Sequence, residues 1–147
     1  MKIAIGSDEK NHLTDHVIDL LKKKNIELEL YGPLAGEELE WTDVAEEVAT
    51  KVANKTCDQG VIFCCTGTGV TIAANKIPGI RAALCGDAQT ATGARKWNDA
   101  NVLTMSLRST SPSVAEEIIE AWFSSKAEDE EKENIDKVSR LEKKYSK

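Results

Sequence analysis

No apolar run in the 147-residue chain approaches the roughly 18 residues of a membrane-spanning helix. Met1 leads straight into a short strand pattern rather than a charged and then apolar leader, so the expectation is a cytoplasmic protein with no membrane partner. Positive charge is also in deficit. Nineteen Lys and Arg stand against 25 Asp and Glu, a formal net charge of -6, so a phosphate backbone is repelled on average and nucleic acid is not an expected partner. None of the four cysteines, Cys57, Cys64, Cys65 and Cys85, falls in the C-x-x-C spacing of zinc or redox sites. That leaves buried or catalytic thiols rather than disulfides. No arginine stands on the sixth residue after Cys64 or Cys65, where Val70 and Thr71 are found, so the phosphate-gripping loop of a cysteine phosphatase fails. A glycine-rich turn is likewise missing after the first apolar stretch, which runs into Gly6-Ser7-Asp8-Glu9, against a dinucleotide fold.

What is present is a repeating alternation of short apolar runs and amphipathic stretches. Residues 2–6 read as a strand, and Leu13, Val17, Leu20 and Leu21 make one stripe on a first helix that Asn25 ends. A second strand is expected over 26–31, followed by a Gly-Pro loop and a helix capped by Thr42 that buries Val44, Val48 and Val52. Further strands are expected over 60–63, 80–84 and 102–105, with helices over about 88–96 and from Ser111-Pro112 onward, the latter burying Val114, Ile118, Ala121 and Trp122. A β-α-β-α-β rhythm implies a parallel sheet, and the length suits one domain over 1–125. Residues 126–147 differ: an acidic run precedes Ile135, Val138, Leu141 and Tyr145 at helical spacing. With the sheet already covered, this acidic helical tail is expected to find its apolar partner on another subunit.

The chain centres on residues 61–76. Val61-Ile62-Phe63 ends in Cys64-Cys65, turns through Thr66-Gly67-Thr68-Gly69, and enters an Ala-rich helix. In an α/β sheet such a loop lies at the carboxyl end of a strand, where backbone N–H groups and the following helix start favour negative charge. A thiol there can serve as a general base for a carbon-bound proton or as a covalent nucleophile. Asp8 and Asp87 follow other strands, and Asn98-Asp99-Ala100-Asn101 adjoins the fifth; all are expected at the same sheet edge. Taken singly, Asp87 reads as a helix N-cap, Asp99 and Asn101 as loop braces, Cys57 and Cys85 as core or loop residues, and His12 as surface.

Gly6-Ser7-Asp8, Cys64 to Gly69, Ile72-Ala73-Ala74-Asn75-Lys76, Pro78-Gly79-Ile80-Arg81-Ala82-Ala83-Leu84 and Asn98-Asp99-Ala100-Asn101-Val102-Leu103 closely resemble the ribose-5-phosphate isomerase B family, which includes the galactose-6-phosphate isomerase subunits. The resemblance runs from Met1 to about Phe123. It implies a Rossmann-like three-layer α/β/α sandwich with a five-stranded parallel sheet, assembled as a homodimer or homotetramer whose sites cross the subunit interface. It also implies aldose-ketose isomerisation of a sugar or sugar phosphate through an enediolate, with no metal or cofactor.

By the same resemblance the base falls on Cys64 and Thr66 supports its thiolate, while Gly67, Thr68, Gly69 and Val70 form the oxyanion loop. Asp8 matches a ligand of a substrate hydroxyl, Asn98 an asparagine at the reacting oxygens, and Arg108 a phosphate ligand. Departures accompany these matches. Cys65 replaces a usual glycine, Trp97 stands where the family has a ring-opening histidine, and Glu9 stands for a phosphate-binding histidine. Glu130 and Asn134 fall where tail arginines belong. The expected substrate therefore differs from ribose 5-phosphate at its far end; ordinary phosphopentose isomerisation and a catalytically weak sugar-binding or partner subunit are the alternatives.

Overall fold

The computed structural model describes residues 1–146. Strands β1 (Lys2–Ser7), β2 (Glu27–Tyr31), β3 (Gln59–Cys64), β4 (Ala82–Leu84) and β5 (Val102–Ser106) form one sheet in the order β2-β1-β3-β5-β4, with every pairing parallel. Helices α1 (His12–Lys23), α2 (Trp41–Ala53), α3 (Thr68–Ala74), α4 (Ala88–Asn98) and α5 (Pro112–Phe123) cover it, and α6 (Lys132–Tyr145) follows.

Alternation along the strands makes two cores, because successive side chains leave a strand on opposite faces. Ile3, Ile5, Val61, Phe63, Leu103 and Met105 face α1, α4 and α5, where they meet Leu13, Val17, Ala91, Ile118 and Trp122. Ala4, Ile62 and Val102 face α2 and α3, against Val44, Val48, Val70 and Ala74. The result is the expected three-layer sandwich. From β1 the chain steps to β2 on one side and then to β3 on the other. The loops leaving β1 and β3 therefore diverge, and ligands of open parallel sheets bind in the crevice between such loops.

Several local expectations shift. Helix α2 starts at Trp41 with Glu40 before it and no side-chain cap, so Thr42 lies inside its first turn. Strand β4 begins at Ala82 because the Arg81 guanidinium is engaged by the Asp99 carbonyl and carboxylate and its N–H donates to the Asn101 side chain. Asp87 does cap α4, accepting from the Thr90 N–H at 2.7 Å, and Ser111 caps α5 with Pro112 at its first position. Helix α6 buries no side chain, and Val138, Leu141 and Tyr145 are exposed. It is tied to its own chain by the Glu142 carboxylate, which accepts from the Gly79 N–H at 3.1 and 3.2 Å. No helix among the described residues is long and apolar enough to cross a membrane.

Candidate active site

Cys64 is the last residue of β3 and is 6% exposed, whereas Cys65 stands in solvent. The exit of β5 clamps both backbones. Leu107 N–H donates to the Cys64 carbonyl at 3.0 Å, and the Cys65 carbonyl accepts from Arg108 N–H and the Ser106 hydroxyl, each at 3.0 Å. The Cys64 backbone cannot shift without breaking a pair of backbone hydrogen bonds to the segment that leaves β5. All four cysteines are free thiols. Burial pushes the Cys57 thiol up to about 11, with the nearby Glu29 carboxylate adding to it, and burial pushes Cys85 up to about 12. Those two are therefore inert packing residues.

Beyond Cys65 the chain turns sharply. The Thr66 and Thr68 hydroxyls touch at 2.7 Å, and Gly67 adopts φ +78°. Any Cβ at Gly67 would come within 2.6 Å of Leu84 Cδ1 and 3.0 Å of the Met105 carbonyl carbon, so the position requires glycine for both conformation and room. Gly69 is roofed by the indole of Trp41. Val70 is wholly buried, so it belongs to the loop only through its backbone.

Asp8 leaves β1 beside this loop and is half-buried. Burial raises its carboxyl above the ordinary range, and Glu9 and Glu40 raise it further, while its own backbone N–H opposes them. It borders an open cleft of about 430 Å³ with Pro33, Glu38, Leu39, Glu40 and Asp43. Glu9 is exposed, held by a serine turn in which Ser7 Oγ accepts from the Glu9 N–H at 3.1 Å. Arg108, also exposed, is fixed at the same mouth through its N–H to Cys65. The mouth thus carries the carboxylates of Asp8 and Glu9, with the backbone of Arg108 anchored at the β5 exit.

Trp97 and Asn98 are not at this edge. They end α4, which runs opposite to the strands, and the following residues 99–101 precede β5 instead of leaving it. The 98–101 segment therefore lies at the amino-terminal edge of the sheet, where the Asn101 carbonyl accepts from Gly60 N–H and Asp99 and Asn101 hold Arg81. Asn98 shares a cavity with Asn75, Ile80, Arg81, Ala100 and Val138, and the 53% exposed Trp97 lies against Gly93. The expectation of one shared edge is corrected here: within a single chain, Asp8, Glu9, Arg108 and the loop 64–70 assemble, and Trp97 and Asn98 stand apart. Sequence reading missed Trp41, Ser106 and Thr104, which reach the loop only through tertiary contacts. Among the described residues no group of three or more His, Cys, Asp or Glu is disposed to hold a metal ion.

The chain carries a doubly wound parallel sheet with a thiol and a glycine-turned amide loop closing its central strand, and its relatives make it an aldose-ketose isomerase. It belongs to the ribose/galactose isomerase family, whose model matches residues 3–141. It is 44% identical over 126 residues to the ribose-5-P isomerase B of Listeria innocua, covering 85% of each chain. It is 37% identical over 134 residues to the D-erythrulose-4-phosphate isomerase of Pectobacterium atrosepticum, covering 87% of this chain and 86% of that one. The solved structure of Clostridium thermocellum ribose-5-phosphate isomerase B matches with a TM-score of 0.92 and 37% identity, over 99% of this chain and 100% of that one.

Proposed function

We propose that the chain interconverts an aldose and its ketose, as a sugar phosphate or a related short sugar, through an enediolate in which the Cys64 thiolate carries the proton between adjacent carbons. The observation that carries this reading is the placement of Cys64, nearly buried yet at the carboxyl edge beside Asp8 and the loop amides, with its backbone clamped to β5. Such a base needs a fixed position more than a mobile one, because proton transfer depends on reach. Thr66 supports the thiolate, and the backbone of Gly67, Thr68, Gly69 and Val70 stabilises the oxyanion. Asp8, with its raised carboxyl, ligates a substrate hydroxyl.

Trp97 and Asn98 enter this scheme from a second copy of the chain, in a homodimer or homotetramer. Their position on the opposite edge supports that reading, since one chain leaves the site without them. The exposed stripe of Val138, Leu141 and Tyr145 supports a partner for the 126–147 tail as well. An indole offers an apolar face to sugar C–H groups but no proton for opening a ring. Substrates that stay open-chain are therefore favoured, above all tetroses phosphorylated at O4, whose furanose closure is blocked. A relative named D-erythrulose-4-phosphate isomerase accords with this.

The second reading, ordinary ribose 5-phosphate isomerisation, is favoured by the exposure of Glu9 and Glu130. Carboxylates standing in solvent leave Arg108 free to hold a phosphate. Deuterium incorporation from solvent into a panel of aldoses and ketoses, with and without phosphate, separates the two. Exchange only in short acyclic sugars supports the first reading, efficient turnover of ribose 5-phosphate with competition by free phosphate supports the second, and binding without exchange means a sugar-binding subunit.

A further inference from the structure

Beneath the loop runs a chain of two hydroxyls that nothing in the apolar packing requires. Thr71 Oγ1 donates to the Gly67 carbonyl at 2.6 Å and lies 2.5 Å from Thr104 Oγ1. A carbonyl only accepts, so the proton of Thr71 is committed to Gly67 and the Thr104 hydroxyl must donate to Thr71. Thr104 is wholly buried in the middle of β5. A threonine that bonds back to the carbonyl four residues earlier slightly destabilises its helix, and a buried hydroxyl is costly unless it is bonded.

We propose that Thr71 and Thr104 are positioning residues that fix the Gly67–Thr68 peptide and aim its N–H at the oxygen that becomes negative during enolisation. This rests on the enediolate reading of the site. In a trans peptide the C=O and the following N–H point in opposite directions, so holding the Gly67 carbonyl inward directs the Thr68 N–H outward. Thr68 opens α3, and its N–H has no partner inside the helix. Hydrogen bonds in series polarise one another, so two hydroxyls feeding the carbonyl also strengthen the N–H at the other end of the peptide. The contact of Gly67 with the Met105 backbone seats the same peptide against β5.

The test compares Thr71→Val, Thr71→Ser, Thr104→Val, Thr104→Ser and the double valine variant. In 15N-labelled protein without substrate, the Thr68 amide proton should move upfield in both valine variants, by more than the amides of Ala74 and Asn75, and return in the serine variants. In turnover, Thr71→Val should lower kcat about tenfold with KM changed less than about twofold, less than the loss of a whole oxyanion donor. Serine should restore most of that loss. The double variant should be no slower than Thr71→Val, because both hydroxyls act through one peptide. An unmoved Thr68 amide, a Thr71→Ser variant as slow as Thr71→Val, or a loss expressed in KM alone overturns the proposal. Wild-type protein that exchanges no solvent deuterium overturns the enediolate reading instead, and the amide shift then decides the pinning by itself.

Discussion

The indole of Trp41 lies across Gly69, so that a Cβ added at Gly69 would stand 2.9 Å from its Cε3 and 3.0 Å from its Cζ3. The first residue of α2 thereby roofs the loop that follows β3, next to the cleft beside Asp8. Gly69→Ala should push the 41% exposed indole outward. Overpacking costs about 1 to 3 kcal/mol and alanine in a helix gains about 1, a net loss of about 0 to 2 kcal/mol, so the melting temperature should fall by no more than several degrees. Trp41 emission should shift to the red, judged against a Trp41→Phe control; unchanged emission would show that the loop, not the indole, gives way.

Glu29 tests the fold's response to acid. Its carboxylate is held down to about 2, first by the hydrogen bond from Lys2, then by those from Tyr31 and Cys57, against the opposing effect of burial. A depressed carboxyl contributes stability that is complete above its unfolded value of about 4.3 and disappears as pH falls through about 2. Urea melts of wild type and Glu29→Gln should therefore differ most above pH 4.5 and converge toward pH 2. A difference independent of pH would mean the loss comes from packing.

Much of this architecture is legible in the sequence because burial leaves periodic marks. Val44, Val48 and Val52 announce the face of α2 on the sheet, and Val61 to Phe63 the central strand. The placement of Cys64 and Asp8 at the carboxyl edge of the sheet was legible, because one ends its strand and the other follows its strand directly. The segment Asn98 to Asn101 was misplaced because a segment that precedes a parallel strand lies at the opposite edge from one that follows it. Trp41 over Gly69 and Thr104 beneath Thr71 join residues far apart in the chain, and no local pattern encodes such contacts.

A site shared between copies predicts complementation. Cys64→Ala and Asn98→Ala should each be nearly inactive alone. After mixed refolding they should recover activity, about a quarter of wild type for random pairing in a two-fold dimer. Mixed oligomers, proven by mass, that stay inactive would place each site within one chain.

The role proposed for Trp97 is to limit the acceptance of rings. Trp97→His should raise turnover of ring-forming ribose 5-phosphate relative to a tetrose 4-phosphate, which cannot form the furanose. Equal turnover of both by wild type, unchanged in the variant, would contradict the role given to the indole.

The central claim is that Cys64 moves the proton, and solvent deuterium exchange reads it most directly. Cys64→Ala should incorporate no deuterium into a substrate that the wild type labels, while its melting temperature and circular dichroism stay near wild type. Cys65→Ala should label it normally. Wild-type labelling by Cys64→Ala, or loss confined to Cys65→Ala, would contradict the assignment.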